Sequence, residues 1–227
     1  MLFKKRIMQE PFEEWYDKIH SLLSYELPGE EAQYKMAPSG RRGAKINPEN
    51  PPRKAAVLLP VFFDEKGQAQ LLLILRKKYD GVHSGQVSFP GGKFDPGETD
   101  PVAVALRETM EEVGIGQDNV LVAGKLTPLF IPPSNMYVEP VVGILKKVHD
   151  WQPHPLEVES IIVAPLRNIF DRNLISEITH EYPGNLILTA PCYTIYGHKV
   201  WGATAMILCE FSEVLSKAGF NTASDGE

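Results

Sequence analysis

The feature that most constrains this chain is a short helix whose two ends can both be located from the sequence. Asp100 is a preferred N-cap residue, Pro101 suits the first helical position, where no backbone donor is needed, and Gly114 is a typical C-terminal stop. Between them, apolar residues recur at spacings of three and four, which predicts one buried stripe. This stripe consists of Val102, Leu106, Met110 and Val113.

The same helix carries three glutamates within five positions, Glu108, Glu111 and Glu112. Glu108 and Glu112 are four residues apart on the side opposite the stripe, and such neighbours lie roughly 5–6 Å from each other on a helix. This spacing allows two carboxylates to share one hard cation or to bridge two. Mg²⁺ prefers oxygen ligands and completes its shell with waters and substrate phosphates. A solvated acidic face is the alternative interpretation of the helix taken alone.

A glycine pair, Gly91-Gly92, stands between an apolar strand at 86–89 and this helix. Because glycine has no side chain, the pair lets a backbone approach a ligand closely. Strand, glycine turn, acidic loop and capped acidic helix occur together much less often than any one of them. The combination favours a diphosphate-binding magnesium site over a solvated face.

This stretch resembles the Nudix box of the Nudix hydrolases. The box reads glycine, five residues, glutamate, seven residues, then arginine-glutamate-aliphatic-any-glutamate-glutamate-any-glycine-aliphatic. Here eight residues separate Glu98 from Arg107, and Thr109 occupies the aliphatic position. The extra residue falls in the loop before the helix, where insertions are tolerated, and the carboxylate spacing is unchanged. The matching residues are Gly92, Glu98, Arg107, Glu108, Glu111, Glu112, Gly114 and Ile115.

The longer loop is common in one branch of the family, the coenzyme A diphosphatases. That branch also has an upstream signature, an arginine that ends a strand, a spaced glycine and then phenylalanine-proline-glycine-glycine. Gly81 stands where the branch has a second arginine, and the segment 200–205 is similar to the branch as well. The residues that match the upstream signature are Arg76, Gly85, Phe89, Pro90, Gly91 and Gly92.

The resemblance implies a metal-dependent hydrolase. The three glutamates of the helix are then ligands of Mg²⁺ or Mn²⁺, and the backbone carbonyl of Gly91 is a further ligand. Arg107 is expected to orient its neighbours rather than to bind metal, and Glu98 to fold back onto it as an ion pair that fixes the loop. The expected catalytic set is Glu108, Glu111, Glu112 and Arg107.

A general base is harder to place. Glu139, Glu157 and Glu159 are carboxylates downstream of the box and are candidates for this role. The alternative for each of them is an ordinary surface glutamate.

Coenzyme A carries an additional phosphate on its adenosine, so its pocket requires cations. Arg41, Arg42, Lys45, Arg76, Lys77 and Lys78 are available, with a solvated strand end as the alternative for the two lysines at 77 and 78. A loop histidine and a rigid turn at 132–135 add hydrogen-bonding groups. The expected substrate-binding residues are Arg76, His83, Arg42 and Ser134.

Patterns along the rest of the chain predict an α/β (α+β) fold, and the resemblance implies a mixed β-sheet sandwiched between helices. An amphipathic helix is predicted at 9–24, packed on the domain or on a second subunit, followed by a proline- and glycine-rich loop at 26–53. A second helix is predicted at 204–217. The predicted strands are 55–63, 70–75, 86–89, 120–129, 136–145, 160–164, 174–179, 185–188 and 192–196. The expected domains are an extension (1–50), a hydrolase domain (51–218) and a flexible tail (219–227).

Composition limits the partners. The net charge of −6 argues against bulk electrostatic binding to nucleic acid. No apolar run is long enough for a membrane span, and the N-terminus does not read as a secretory signal. Two cysteines are too few for a disulfide scaffold, so a reducing cytoplasm is expected. A homodimer is possible through the N-terminal helix, which is equally compatible with a lid.

The sequence therefore predicts a Nudix hydrolase that cleaves the diphosphate bond of a nucleoside diphosphate derivative. Coenzyme A or its thioesters are the expected substrates. An ADP-ribose or dinucleotide pyrophosphatase is the alternative within the family. A non-catalytic metabolite sensor with the same fold is the alternative from another class, although such sensors tend to lose the box carboxylates that this chain retains.

Overall fold

The structure is a computed structural model that describes residues 10–41, 45–79, 83–148, 150–182 and 186–220. Its central element is a mixed sheet, eight-stranded within that part of the chain. The strands are β1 (Arg53–Phe63), β2 (Ala69–Arg76), β3 (Val87–Ser88), β4 (Gly91–Lys93), β5 (Val120–Lys125), β6 (Leu129–Ile131), β7 (Met136–Leu145) and β8 (Val158–Pro165).

Strand β1 lies in the middle of this sheet. It pairs in parallel with β7 and antiparallel with β2 and β4. Strands β3 and β8 pair with β2, while β5 and β6 pair with β7. Strand β1 is covered on both faces, which explains its nearly continuous apolar sequence from Ala55 to Phe63.

The helices are α1 (Glu10–Leu23), α2 (Gly29–Gln33), α3 (Pro101–Val113) and α4 (Gly202–Lys217). Helix α3 packs on one face of the sheet against Ala56 and Leu58, whereas α1 and α4 pack on the other face with Leu59 and Val61. The predicted arrangement of a mixed sheet between helices is confirmed.

Helix α3 has the predicted ends but not the predicted buried face. Asp100 accepts a hydrogen bond from the backbone N–H of Val102 at 2.9 Å, and Gly114 is left-handed with φ of 75°. Met110, expected in the stripe, is 53% exposed. The hydroxyl of Thr109 donates to the carbonyl of Ala105 at 2.6 Å, so a threonine is accommodated at this buried position. The buried residues are Val104, Ala105, Thr109, Glu112 and Val113.

The region before β1 is more ordered than the predicted loop at 26–53, because it contains α2 and a 3₁₀ turn at Tyr34–Met36. Helix α1 buries Trp15, Ile19 and Leu23 against its own domain. Of the alternatives for this helix, the structure thus shows packing on its own domain, and a role in dimerisation stays a prediction. Phe220, assigned to the tail by sequence, packs on Trp15 with 5.5 Å between ring centroids.

A second, three-stranded antiparallel sheet is formed by β9 (Ile175–Tyr182), β10 (Leu186–Ile195) and β11 (His198–Trp201). The strands predicted at 185–188 and 192–196 are one strand, β10, within the described residues. It tolerates Pro191 because its pairing with β11 begins only at Cys192. Strand β11 was missed, although Gly197, with φ of 82°, marks the tight turn that precedes it.

Two other boundaries differ from prediction. The strand expected at 120–129 is divided into β5 and β6, because the chain leaves the ladder at 126–128. Gly91 and Gly92 do not form a turn but begin strand β4. None of the helices within the described ranges is long and apolar enough to cross a bilayer.

Candidate active site

The predicted site forms where the end of β2, the strand β4 and the helix α3 meet. Arg76 is the last residue of β2, Gly91 and Gly92 open β4, and α3 crosses the same face of the sheet. The glycine pair, the box glutamates and the signature arginine thus come together although more than thirty residues separate their ends in sequence.

Arg107 holds the loop before α3 against the helix. Its Nε donates to Oε1 of Glu98 at 2.9 Å, and its Nη2 donates to Oε2 of the same residue at 3.0 Å. Nη2 also donates to the carbonyl of Lys93 at 3.2 Å. The hydrogen bonds from Arg107 lower the pKa of Glu98 and raise that of Arg107 itself. The expected ion pair is present, so the additional loop residue does not displace Glu98.

Arg107 also bonds two of the proposed metal ligands. Its Nη1 lies 3.0 Å from Oε1 of Glu108 and 3.2 Å from Oε2 of Glu111. Glu111 is the most exposed of the three box glutamates, with 57% of its side chain accessible, and Glu108 retains 16%. Arg107 therefore holds Glu108 and Glu111 by hydrogen bonds, which is consistent with its expected role.

Glu112 is buried under the sheet rather than on a solvent side of the helix. It is 1% exposed, and its two oxygens have different partners. Arg76 Nη1 donates to Oε1 at 3.0 Å, and the backbone N–H of Gly91 donates to Oε2 at 2.8 Å. One carboxylate thereby connects the signature arginine, the glycine pair and the box helix.

The two glycines are required by protein contacts. A Cβ on Gly92 would overlap the carboxylate of Glu108. A Cβ on Gly91 would overlap the backbone of β1 at Ala56 and Val57, and the φ of Gly91 is 152°. The pair was expected to make room for a ligand, whereas here it makes room for a site carboxylate and for strand pairing.

Burial and like charges make ionisation of this cluster unfavourable. Burial raises the pKa of Glu112 to about 7, the charges of Glu108 and Glu157 act in the same direction, and Arg76 and the Gly91 N–H oppose them. Burial also raises the pKa of Glu108, with Arg107 opposing and Glu111 and Glu157 adding to the shift. An added cation would favour the ionised form of both carboxyls.

The three downstream carboxylates differ in their relation to this cluster. Glu157 follows a turn whose His154 N–H donates to the Glu112 carbonyl at 2.8 Å, and its charge acts on both Glu108 and Glu112. Glu139 is aligned across the sheet with Ala56 and, beyond it, with Gly92, and it pairs with Lys125 at 3.7 Å.

Glu159 pairs with Lys77 at 3.5 Å and is 57% exposed. The charge of Glu157, by contrast, acts on both the Glu108 and the Glu112 carboxyl, which favours Glu157 among the three candidates for the general base.

The predicted substrate-binding residues are not all in one place. The Nδ1 of His83 lies 3.3 Å from Oε1 of Gln86, whose backbone carbonyl accepts the Arg76 N–H at 3.0 Å, so His83 lies near the end of β2. Burial and the charge of Arg76 lower the pKa of His83. Ser134 lies farther away, at the tip of the β6–β7 hairpin, where its hydroxyl is enclosed without a partner in the described structure. Arg42 is outside the described residues.

Sequence comparison decides the family. Residues 52–163 match the family model described as NUDIX domain. Nudix hydrolase 22, chloroplastic, of Arabidopsis thaliana is 31% identical over 220 residues, which cover 92% of this chain and 70% of that protein. This chain belongs to the Nudix hydrolases.

Two further Nudix relatives are similar over the same domain. The uncharacterized Nudix hydrolase NudL of Photorhabdus laumondii is 35% identical over 181 residues, or 80% of this chain and 92% of that protein. The mitochondrial coenzyme A diphosphatase NUDT8 of Homo sapiens is 35% identical over 158 residues. That alignment covers 69% of this chain and 66% of the human protein, just under two thirds of its length.

A solved structure supports the Nudix fold. The crystal structure of a C. elegans Ap4A hydrolase binary complex has a TM-score of 0.50 at 21% identity, covering 73% of this chain and 98% of that one. At this identity the likeness shows the fold alone.

The donor set of this Nudix helix fits a divalent cation by its chemistry. Carboxylate oxygens suit Mg²⁺ and Mn²⁺. The pKa values of Glu108 and Glu112 are raised chiefly by burial and further by neighbouring carboxylates, and a bound cation would offset both effects. Among the described residues, no three His, Cys, Asp or Glu side chains are placed together so as to hold a metal ion. Within the described structure, Arg107 bonds Oε1 of Glu108 and makes no bond to Oε2 of that residue.

Sequence reasoning missed two features of the site. The bond between Arg76 and Glu112 joins residues 36 positions apart, and no local pattern predicts it. The position of Glu157 beside the box helix depends on the pairing of Val158 with Arg76. The acidic sequence Leu-Glu-Val-Glu at 156–159 was the available signal, and it does not distinguish Glu157 from Glu159.

Proposed function

We propose that this Nudix hydrolase cleaves the diphosphate bond of coenzyme A or its thioesters. The products from coenzyme A are a 4′-phosphopantetheine and adenosine 3′,5′-bisphosphate. Water attacks one phosphorus of the diphosphate, the P–O bond to the bridging oxygen breaks, and the other phosphate leaves with that oxygen. This assignment extends the likeness to the human coenzyme A diphosphatase, whose name states that activity for that protein.

The observation that carries the proposal is the ion pair between Arg76 and Glu112 at 3.0 Å. Arg76 belongs to the upstream signature of the coenzyme A branch, and Glu112 belongs to the Nudix box. Their contact makes the branch-specific residue part of the same site as the proposed metal ligands. Arg76 therefore lies where it can contact a phosphate held at α3.

The proposed metal ligands are Glu108, Glu111 and Glu112, with the carbonyl of Gly91 as a further donor. Bound Mg²⁺ or Mn²⁺ would offset the charge of the diphosphate and promote ionisation of water. Arg107 and Glu98 hold the loop so that Glu108 stays over Gly92.

Glu157 is the proposed general base. Its side chain is 51% exposed, its Oε1 lies 3.7 Å from Nδ1 of His154, and its charge acts on Glu108 and Glu112. An accessible carboxylate near the proposed metal ligands can accept a proton from water, which suits a general base.

The test is a substrate panel. Purified protein with Mg²⁺ or Mn²⁺ is given coenzyme A, dephospho-coenzyme A, ADP-ribose, a dinucleoside polyphosphate and nucleoside triphosphates, and the products are separated by chromatography. We expect coenzyme A to give the highest kcat/KM, and Glu112→Gln to remove turnover. A higher kcat/KM for ADP-ribose or a dinucleotide would transfer the assignment to those substrates, and no cleavage of any compound would favour a metabolite sensor.

We infer a cytoplasmic location and a small-molecule partner. Both cysteines, Cys192 and Cys209, are free and buried, in keeping with a reducing compartment. The names of relatives include mitochondrial and chloroplastic proteins, so the compartment needs direct localisation. A homodimer stays a prediction that a sedimentation measurement tests, and α1 is a poor interface candidate because its stripe is buried within its own domain.

A further inference from the structure

The sheet face that carries α3 continues past the helix as a partly open surface. Backbone register aligns Phe130 of β6 with Tyr137 of β7, and Tyr137 with Lys54 of β1. Directly paired residues point to the same side of a sheet, so these three side chains form one row. Phe130 and Tyr137 are partly buried and Lys54 is exposed. We call these three residues the aromatic shelf.

The aromatic shelf lies on the same face as the candidate active site. The neighbouring row along the strands runs from Glu139 through Ala56 to Gly92, against which the Glu108 carboxylate packs. Tyr137 is two strand spacings across and two residues along from Gly92. With about 4.8 Å between strands and about 3.3 Å per residue, this separation is about 12 Å, and that of Phe130 is about 16 Å. A nucleoside attached to a diphosphate at α3 covers this range.

Arg41 contacts the edge strand that carries Phe130. Its Nη2 donates to the carbonyl of Phe130, on the edge strand β6. The segment that carries Arg41 is fixed to the second sheet, because the Ser39 N–H donates to the Thr189 carbonyl at 2.7 Å and the Thr189 N–H donates to the Ser39 hydroxyl at 3.1 Å.

The guanidinium of Arg41 has no counter-charge in the described part of the chain. Its Nε is enclosed without a hydrogen-bond partner there, and burial lowers its pKa. A partly buried cation that lacks a carboxylate is unfavourable unless an anion from outside the protein completes it. The hydroxyl of Ser134, at the tip of the same β6–β7 hairpin, is likewise enclosed without a partner in the described residues.

We propose that the aromatic shelf binds the nucleoside of the substrate and that Arg41 recognises a phosphate carried on its ribose in addition to the diphosphate. The base lies on Phe130 and Tyr137, since aromatic rings accept any base by stacking. A guanidinium suits a phosphate because it presents several N–H donors in one plane. This inference rests on the proposed function for the position of the diphosphate, and it makes Arg41 a residue of substrate specificity rather than of catalysis.

Binding to the metal-free protein tests the inference without turnover. Calorimetric titration in EDTA compares adenosine 3′,5′-bisphosphate with adenosine 5′-monophosphate, which lacks the ribose phosphate. We expect the wild-type protein to bind the bisphosphate at least ten-fold more tightly, and Arg41→Gln to reduce this preference to less than two-fold. Tyr137→Leu should weaken both ligands together and leave the preference intact.

Arg167 provides a matched control. It is an exposed arginine that donates to Gln68 at 3.1 Å, near the end of β2 opposite Arg76. Arg167→Gln should keep the full preference for the bisphosphate. The inference is overturned if the wild type shows no preference, if Arg41→Gln retains it, or if Arg167→Gln loses it equally.

A second measurement covers the case in which Arg41→Gln does not fold. Hydrogen exchange of the wild-type protein should show that the bisphosphate protects 37–41 and 129–137 more than the monophosphate does. Equal protection by the two ligands would contradict the role of Arg41.

Kinetics then separate this inference from the proposed function. With Mn²⁺, Arg41→Gln should raise KM for coenzyme A at least ten-fold and change KM for dephospho-coenzyme A less than two-fold. Equal changes for the two substrates would contradict the role of Arg41 and leave the hydrolase assignment intact. Arg41-dependent binding without hydrolysis of any diphosphate would contradict the proposed function and leave the shelf intact.

Discussion

Two glutamates are buried on opposite faces of the same sheet, and their surroundings differ in kind. Glu210 of α4 is 0% exposed and accepts hydrogen bonds from neutral donors, the N–H groups of Gly29 and Thr127, each at 3.2 Å, and the amide of Gln33 at 2.8 Å. Glu112 of α3 is 1% exposed, is paired with Arg76 and lies in the field of two other carboxylates.

The difference distinguishes a structural carboxylate from a candidate functional one. The donors to Glu210 come from α2 and from the turn after β5, so this residue ties the N-terminal region to the C-terminal helix. The pKa of Glu112 is instead raised to about 7. Its ion pair with Arg76 and its hydrogen bond from the Gly91 N–H do not cancel the effect of burial. Perturbed carboxyls of this kind concentrate at functional sites.

The largest effect is expected from Glu112→Gln. The amide is nearly isosteric and its oxygen can still accept the Gly91 N–H bond, so the fold should persist, whereas turnover should fall by on the order of 10³-fold, or about 4 kcal/mol. Steady-state rates with Mn²⁺, together with circular dichroism, measure both. Activity within ten-fold of wild type would remove Glu112 from the metal site.

Glu210→Ala should act on stability alone. One buried and two partly buried donors lose their acceptor, which costs about 3 kcal/mol and lowers Tm by about 10 °C. Glu210→Gln, which keeps one acceptor oxygen, should cost less. Thermal unfolding followed by circular dichroism gives the first quantity, and kcat of the folded enzyme at 20 °C should stay within two-fold. A large fall in kcat at that temperature would mean that the two buried glutamates do not differ as described.

Glu157→Gln tests whether the field around Glu112 is used in catalysis. Loss of a general base should lower kcat by about 10²-fold with little change in KM. Removing a negative neighbour should also lower the pKa of Glu112 and move the acid limb of the pH–rate profile to lower pH. Glu159→Gln, whose carboxylate pairs with Lys77 at 3.5 Å, is the matched control and should be neutral. Equal effects of the two substitutions would argue against Glu157 as the base.

The smallest effect is a pH dependence of stability in EDTA. Because the pKa of Glu112 is raised on folding, from 4.5 to about 7, its stabilising contribution is complete below about pH 4.5 and is lost as the pH rises through about 7. The unfolding free energy of Glu112→Gln relative to that of the wild type should therefore rise by about 1–3 kcal/mol between pH 5 and 8. A difference independent of pH would contradict the raised pKa.

Much of this fold was accessible from local sequence. The ends of α3, the apolar run of β1 and the stripe of α1 follow from capping and periodicity, which depend only on neighbouring residues. The buried face of α3 was not accessible in the same way. Apolar spacing predicted that Met110 is buried, whereas small residues such as Ala105 are buried where β1 and the helix approach each other. Glu112 is buried as well, because Arg76 and the Gly91 N–H provide its hydrogen-bond partners under the helix.

The candidate site likewise combines features set by local sequence with features set by the pairing of distant strands. The proposed box ligands and the pair of Glu98 with Arg107 were predicted because they lie within fifteen positions on one loop and helix. The position of Glu157 beside this helix and that of Arg41 beside β6 were not predicted, since each depends on which distant strands pair. Whether the predicted ligands hold metal stays a prediction for the experiments above.

By itself the sequence determined the family, the acidic helix and the chemistry of its side chains, because these properties are carried by short contiguous stretches. Tertiary structure alone decided which glutamate is buried, which arginine pairs with it and which buried cation lacks a carboxylate partner among the described residues. Those properties arise from burial and from electrostatic interaction over several ångströms, and both depend on strand register that residues far apart in the chain establish only when they fold together.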